Sequence, residues 1–65
     1  MDYSKLLIQI RAYLNLSQKD LGNLLGVSFS TINRWENKKS QPTKKHIYVL
    51  KTIADKNNIE IEEDK

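Results

Sequence analysis

Apolar residues recur at intervals of three and four along most of the chain, the spacing that places side chains on one face of an α-helix. The first such stripe consists of Tyr3, Leu7, Ile10 and Leu14. It predicts an amphipathic helix over residues 2–14. Asn15 follows the last turn and is expected to end this helix in a left-handed backbone conformation, which asparagine adopts more readily than most residues.

Two short helices are predicted next, over residues 18–25 and 29–37, and each has its own start signal. Ser17 and Ser28 are N-cap residues, whose hydroxyl accepts a hydrogen bond from a backbone N–H of the first turn. Each serine has an apolar residue directly before it and another at the fourth helical position, which is the arrangement of a hydrophobic staple. Asp20 adds the acidic residue of a capping box to the first of these helices.

The two glycines of the chain belong to the first short helix and its end. Gly26 stands where that helix must stop and where a left-handed backbone is usual. Gly22 lies where the second short helix must cross the first closely, so that a larger side chain would hold the two apart. Two helices packed across so short a turn make a helix-turn-helix, and the second helix of this motif is the part that enters a DNA major groove.

The rest of the chain is predicted to hold a loop, one more helix and a short tail. Residues 38–43 form the loop, and Thr43 is the N-cap of a helix over residues 44–56. Its expected buried stripe is Ile47, Leu50, Ile53 and Ala54. Asn57 and Asn58 end this helix.

In the tail, Ile59 and Ile61 alternate with glutamates. This alternation allows a strand, but a final helical turn that packs both isoleucines on the core is the favoured interpretation. The expected fold class is therefore all-α, a compact bundle of four or five helices. We expect one domain over residues 1–65 with an acidic tail at residues 57–65.

The net charge of the 65-residue chain is +3, but its basic and acidic residues are unevenly distributed. Residues 1–51 hold nine Lys and Arg against three Asp and Glu, whereas residues 52–65 hold two against five. The basic excess lies at and just after the second short helix, at Arg34, Lys38, Lys39, Lys44 and Lys45. A lysine-rich surface is ordinary in soluble proteins, and it indicates nucleic acid here because it lies beside a helix-turn-helix.

Composition argues against catalysis and against a membrane protein. With one histidine and no cysteine, the sequence offers no thiolate, no metal-ligand cluster and no general-base pair. We therefore expect no metal, no cofactor, no small-molecule ligand and no enzymatic activity. The apolar runs are shorter than the roughly 18 residues of a membrane span, and the N-terminus has no signal-peptide pattern. We expect a soluble cytoplasmic protein.

The outward face of the second short helix carries candidates for contact with DNA bases, because Ile32 and Trp35 are expected to face the core. Arg34 can donate two hydrogen bonds to guanine, and Asn33 can pair with an adenine edge or hold a phosphate. Ser30 can serve either partner. Phe29 can contact a thymine methyl group, or it can fold back on the preceding helix and fill a gap.

Candidates for phosphate contact surround this face. Gln18 opens the first short helix, and a helix N-terminus is a natural phosphate site. The residues that would flank the groove and hold the DNA backbone are Asn37, Lys38, Lys39, Thr43 and Lys44. For each lysine, plain solvation is the alternative.

Two charged residues adjoin predicted core positions. Arg11 follows Ile10 and Glu36 follows Trp35, and an unpaired charge at the edge of a core is unfavourable. We predict a structural ion pair between Arg11 and Glu36, the alternative being two independent surface charges. His46 has no second histidine or cysteine with which to share a metal, and it is expected to be an exposed residue of the last helix.

The sequence also resembles a known family. The runs Leu-Ser-Gln-Lys-Asp-Leu-Gly, then Leu-Gly-Val-Ser-Phe-Ser-Thr-Ile-Asn-Arg-Trp-Glu-Asn, then Pro-Thr are similar to the Cro/C1-type (Xre-family) helix-turn-helix domain of phage and bacterial repressors. The likeness covers residues 3–62. The helix caps, the turn glycine, the core positions and the loop length all agree with the family pattern. It implies a compact bundle of four or five helices.

The resemblance implies roles for individual residues, and it supports the predicted pair of Arg11 and Glu36. In the family, the residues equivalent to five positions of this chain meet DNA bases, and these positions are Ser28, Phe29, Ser30, Asn33 and Arg34. Those of Gln18 also meet DNA, and those of Asn37, Lys38 and Lys39 lie on phosphate.

Three positions depart from the family pattern. Lys38 replaces the usual glycine, so either Lys38 or Asn37 must adopt a strained backbone conformation. Leu24 occupies a site that is commonly polar and is expected to be partly exposed or used in association. The fifth helix is short and acidic, which leaves the usual dimer surface incomplete.

The leading hypothesis is a sequence-specific transcriptional regulator, a repressor, that binds a pseudo-palindromic operator in double-stranded DNA as a homodimer formed on the DNA. The alternative is an accessory DNA-binding or protein-interaction module of a DNA-modification, phage or toxin–antitoxin system, because a fold does not determine one function. A steep salt dependence of duplex binding separates DNA binding from protein interaction.

Overall fold

The computed structural model describes residues 2–61, which fold into four α-helices with no β-strand among them. The helices are Tyr3–Leu14 (α1), Gln18–Leu25 (α2), Phe29–Glu36 (α3) and Lys44–Lys56 (α4). The predicted all-α class is confirmed. The predicted bounds differ only at Asp2, which is the N-cap of α1, and at Asn37, which follows α3. None of the described helices is long and apolar enough to cross a membrane.

Side-chain caps start all four helices, and the last three caps are the residues that the sequence predicts. Asp2 accepts a hydrogen bond from the backbone N–H of Ser4 and so begins α1. At α2, the Ser17 hydroxyl accepts from the Asp20 N–H at 2.9 Å, and the Asp20 carboxylate accepts from the Ser17 N–H at 3.1 Å, which completes a capping box. The two later helices each begin with a single capping hydrogen bond, which the Ser28 hydroxyl accepts from the Thr31 N–H and the Thr43 hydroxyl accepts from the His46 N–H.

The turn between α2 and α3 depends on both glycines. Gly26 adopts the left-handed conformation with φ 73°, which ends α2. At Gly22, an added Cβ atom would lie 2.6 Å from the carbonyl oxygen of Val27. The backbone that enters α3 therefore presses on α2 at this point, and the close approach predicted from the sequence is made by the turn itself.

One apolar core joins the four helices. Its buried members are Leu6, Leu7, Ile10, Leu21, Leu25, Ile32, Trp35, Leu50, Ala54 and Ile59. The prediction for α4 was partly wrong, because Ile47 is only half-buried whereas Val49 packs against the core. Leu50 and Ala54 are the fully buried residues of α4, and Val49 and Ile53 extend the stripe on the side away from residue 47, which therefore lies at its edge.

After α4 the chain turns back onto the core, and residues 57–61 form no further helix. Asn58 has φ 56°, and the N–H of Ile59 donates to the Ala54 carbonyl at 2.8 Å. Ile59 is buried and Ile61 packs against the core, as predicted. The expected final helical turn is wrong for residues 59–61, because the left-handed Asn58 diverts the backbone. The remainder of the predicted acidic tail lies outside the described residues.

Candidate nucleic-acid interface

α3 buries one side and exposes the other along its whole length. Ile32 is fully buried and Trp35 is 6% exposed. The exposed residues of α3 and its cap are Ser28, Phe29, Ser30, Asn33 and Arg34. Phe29 is 59% exposed, so it does not fill a gap against α2, which was the alternative left open by the sequence. The face therefore offers hydroxyl, amide, guanidinium and aromatic groups to a partner.

The N-terminal end of this face is held by a small cluster of hydroxyl groups. The Ser28 hydroxyl lies 3.2 Å from the Ser30 hydroxyl and 3.0 Å from the Thr31 hydroxyl. It also accepts the capping hydrogen bond from the Thr31 N–H at 3.3 Å. These contacts fix the serine side chains relative to the start of α3 and bring Ser28 and Ser30 together.

The loop after α3 places a row of exposed polar residues beside this face. Its members are Asn37, Lys38, Lys39, Thr43 and Lys44. The Asn37 side-chain amide donates to the Asn33 carbonyl at 2.8 Å, so it turns back onto α3. Lys38 has φ 62°, and the strain predicted from its replacement of a glycine therefore falls on this residue. The Thr43 hydroxyl is engaged in capping α4.

Lys38 is also the partner of a carboxylate. Its ammonium lies 3.3 Å from an Asp2 oxygen at one side of a half-open cleft of about 240 Å³. A hydrogen bond from the Ser4 hydroxyl, together with Lys38, lowers the pKa of Asp2 to about 2 despite the opposing effect of burial. Lys38 therefore lies beside a negative charge while its own side chain stays 70% exposed, and its role in phosphate contact stays a prediction.

Arg11 and Glu36 form a bidentate ion pair that joins α1 to the end of α3. Arg11 Nε donates to Glu36 Oε2 at 2.7 Å, and Nη2 donates to Oε1 at 2.8 Å. The Glu36 side chain is 6% exposed and that of Arg11 is 25% exposed. Nη1 of Arg11 also donates to the Leu16 carbonyl at 3.3 Å, which ties the pair to the α1–α2 connection.

The electrostatics of the pair follow from this geometry. Burial alone would raise the pKa of Glu36, but hydrogen bonds from Arg11 and Gln18 and the charge of Arg11 outweigh burial and lower it. The hydrogen bonds to Glu36 raise the pKa of Arg11 in turn. Both side chains are therefore held in their charged forms at neutral pH.

The Gln18 side chain makes two hydrogen bonds within the protein, and its predicted role in phosphate contact stays a prediction. Its side-chain amide donates to Glu36 Oε1 at 3.1 Å, and its oxygen accepts from the Asn33 amide at 3.4 Å. The side chain thus lies between the ion pair and α3. Its backbone N–H remains at the N-terminus of α2, where the first N–H groups of a helix lack helical partners.

His46 is the residue that sequence reasoning misjudged most clearly. It is half-buried and its ring centroid lies 5.3 Å from that of Trp35, whereas we expected an exposed residue. Its Nδ1 lies 2.7 Å from the Thr43 hydroxyl. The sequence did carry a signal for this partial burial, because residues 46, 50 and 53 share one face of a helix at spacings of four and three.

Two further observations concern other kinds of site. Within residues 2–61, no three His, Cys, Asp or Glu side chains are grouped in a way that could hold a metal ion. Leu24 is 58% exposed, which agrees with the exposure expected at this commonly polar position.

Comparisons with known proteins identify the family. A family model described as helix-turn-helix matches residues 7–63 and so includes the capped α2–turn–α3 unit. A comparison with curated proteins gave no significant match, and a comparison with solved structures gave none either. The matched family consists of DNA-binding regulatory domains and is not a family of enzymes. The chain therefore belongs to the helix-turn-helix family, as its resemblance to Cro/C1-type repressor domains indicated.

Proposed function

We propose that this protein is a sequence-specific transcriptional repressor that binds double-stranded DNA with α3 in the major groove. The observation that carries the proposal is the exposed face of α3, which lies beside a basic loop. The helix buries Ile32 and Trp35 and leaves the side chains of Ser30, Asn33 and Arg34 exposed to a partner. A major groove about 12 Å wide admits one α-helix, and its bases are read by side chains of these types.

In this proposal the residues near the middle of α3 read bases. Arg34 is exposed, and its guanidinium can donate two hydrogen bonds to guanine O6 and N7. Asn33 has the donor and acceptor that fit an adenine edge. Ser28 and Ser30 approach the groove at the N-terminal end of α3, where Phe29 would contact a thymine methyl group.

Phosphate contacts then come from both sides of α3. The α2 N-terminus at Gln18 and the α4 N-terminus at Thr43 offer backbone N–H groups and a positive dipole end. Lys39 and Lys44 are exposed and supply charge, whereas Lys38 shares its charge with Asp2. Asn37 completes the row. These contacts would set the register of α3 on the duplex and carry no sequence preference.

The direct test is binding to duplex DNA over a range of salt concentrations. Wild-type protein should lose affinity steeply as salt rises, because bound phosphates release counterions. Lys44→Ala should weaken binding to every sequence alike and reduce the slope by about one. Lys5→Ala removes an equal charge from α1 and should leave the slope nearly unchanged. Binding that does not depend on salt, or a Lys44→Ala variant with an unchanged slope, would contradict the proposal.

A second candidate function is an accessory protein-interaction module within a DNA-modification, phage or toxin–antitoxin system. The observation that favours it is the exposure of two large apolar side chains, Leu24 at 58% and Phe29 at 59%. On a DNA-reading surface Phe29 would contact a thymine methyl group, whereas Leu24 has no proposed contact with DNA. Salt-insensitive binding to a protein partner, lost in Leu24→Ala and in Phe29→Ala, would support this second candidate over the first.

A further inference from the structure

A row of polar side chains leads from the Arg11–Glu36 ion pair to the exposed face of α3. Glu36 Oε1 accepts hydrogen bonds from Arg11 Nη2 at 2.8 Å and from Gln18 Nε2 at 3.1 Å. Gln18 Oε1 accepts in turn from Asn33 Nδ2 at 3.4 Å. The row therefore begins at a carboxylate whose side chain is 6% exposed and ends at an exposed amide of the candidate interface.

The charge of Glu36 fixes the direction of every hydrogen bond in this row. An ionised carboxylate can only accept, so Gln18 must turn its amide nitrogen towards Glu36 and its oxygen away. That oxygen can also only accept, so Asn33 turns its nitrogen towards Gln18 and its own oxygen outwards. At 3.4 Å the last contact is long for an N–H···O bond, and it orients Asn33 without immobilising it.

This orientation leaves Asn33 with one acceptor and one free N–H for a ligand. The major-groove edge of adenine presents the complementary pair, an N6 donor and an N7 acceptor. Guanine presents two acceptors, N7 and O6, and pairing both would require the N–H of Asn33 that is directed at Gln18. We propose that Gln18 is a positioning residue that makes Asn33 select adenine over guanine. This inference rests on the proposed DNA-binding function.

The test compares four proteins by the sequences that each binds from a pool of duplexes with a randomised centre. They are the wild type, Asn33→Ala, Gln18→Ala and Lys19→Ala. The Lys19 substitution changes the neighbouring exposed residue of α2 and is the matched control. Thermal unfolding of each protein confirms that the variants are folded. Affinities are then measured on duplexes that carry adenine or guanine at the base pair whose preference Asn33→Ala removes.

Wild type and Lys19→Ala should both prefer adenine at that pair, by about 5- to 150-fold, which is the range of a bidentate amide–base contact. Gln18→Ala should bring this ratio close to one while the salt slope stays the same, because Asn33 is then free to turn. A residue that acted only on folding, or only on phosphate, would not alter the ratio at one base pair.

Three results would count against the inference. An unchanged adenine-to-guanine ratio in Gln18→Ala overturns it, including the case where affinity falls for all sequences and the salt slope becomes shallower. No change in base preference in Asn33→Ala also overturns it, and leaves the proposed function standing. If wild-type protein shows no salt-dependent duplex binding, the proposed function itself fails, which is a distinguishable outcome.

Discussion

Glu36 is the residue on which both the fold and the candidate interface depend. Its carboxylate is buried at the end of α3 and accepts three hydrogen bonds, from Arg11 Nε and Nη2 and from Gln18. Because a buried carboxylate without partners is unfavourable, each donor is needed to stabilise the charged form. The same contacts join three helices, because Arg11 lies on α1, Gln18 on α2 and Glu36 on α3.

Arg11→Ala should lower the free energy of unfolding by about 1–3 kcal/mol, because it leaves the Glu36 carboxylate buried without its main partner. The preferred DNA sequence should not change. Thermal or urea unfolding of Arg11→Ala, Glu36→Ala and the double variant measures the coupling. Strictly additive effects of the two substitutions would contradict the pairing as a source of stability.

Acid should destabilise the protein through the same carboxylate. The folded pKa of Glu36 is below its ordinary value of 4.5, so its contribution to stability is complete above pH 4.5. That contribution is lost as the pH falls through the lowered pKa. Melting temperature against pH should therefore decline on the acid side, and Glu36→Gln should show a shallower decline together with lower stability at neutral pH. Identical acid profiles for the two proteins would contradict this assignment.

At the level of elements, the closest fit in the molecule lies between α2 and the turn into α3. Gly22 accepts the backbone hydrogen bond of Val27 at 2.9 Å, and its missing side chain makes room for the Val27 carbonyl. In an open helix, alanine would be about 1 kcal/mol better than glycine. Here the space that a Cβ needs is already occupied by backbone, which cannot move like a flexible side chain.

Gly22→Ala should therefore destabilise the fold by about 1–3 kcal/mol, the usual range for overpacking, despite its gain in helix propensity. Asn23→Ala is the matched control, because Asn23 is exposed on the same helix. It should change stability by less than about 0.5 kcal/mol. Urea unfolding measures both variants. A Gly22→Ala protein more stable than wild type would show that the turn is not tightly packed.

The elements themselves could be predicted from the sequence because their signals are local. Ser17 with Asp20 and Thr43 mark helix starts by side-chain hydrogen bonds that span only three residues. Asn58 was recognised only as a helix end, because its left-handed conformation is decided by the packing of Ile59 on a core built from distant residues. The missing helical turn after it could not be anticipated for that reason.

The candidate site was predictable only where helical periodicity determines exposure. The period of α3 separates Trp35 from Arg34 and Asn33 without knowledge of other helices. The partners of Gln18, Lys38 and His46 lie on other elements, and the sequence gives no distances between elements. Their contacts with Asn33, Asp2 and Trp35 therefore required the structure.

At the scale of the whole molecule, the exposed apolar side chains are dispersed over several elements. They are Ile8 and Tyr13 on α1, Leu24 on α2, Phe29 on α3 and Tyr48 on α4. Ile59 of the tail adds nothing to this surface, because it is buried in the protein's own core. Specific and stable protein interfaces bury at least about 1,000 Å², and none of the described helices carries more than two of these side chains.

We therefore expect the free protein to be mostly monomeric at micromolar concentration and to dimerise on DNA. A single module buries only about 600–1,000 Å² on a duplex, so useful affinity should come from two copies on half-sites about 10 base pairs apart. Sedimentation of the free protein and band-shift titrations on one and two half-sites measure this. A tight dimer without DNA, or equal affinity for one half-site and two, would contradict it.

The central claim is that α3 reads a DNA sequence, and selection of bound duplexes from a randomised pool tests it most directly. Wild-type protein should enrich one motif with two related halves, and Arg34→Ala should lose its preference at one base pair of each half. On the selected site, that variant should bind more weakly by about 1–3 kcal/mol. Failure of the wild type to enrich any motif, or an Arg34→Ala motif identical to that of the wild type with uniformly lower affinity, would contradict base reading by Arg34 on α3.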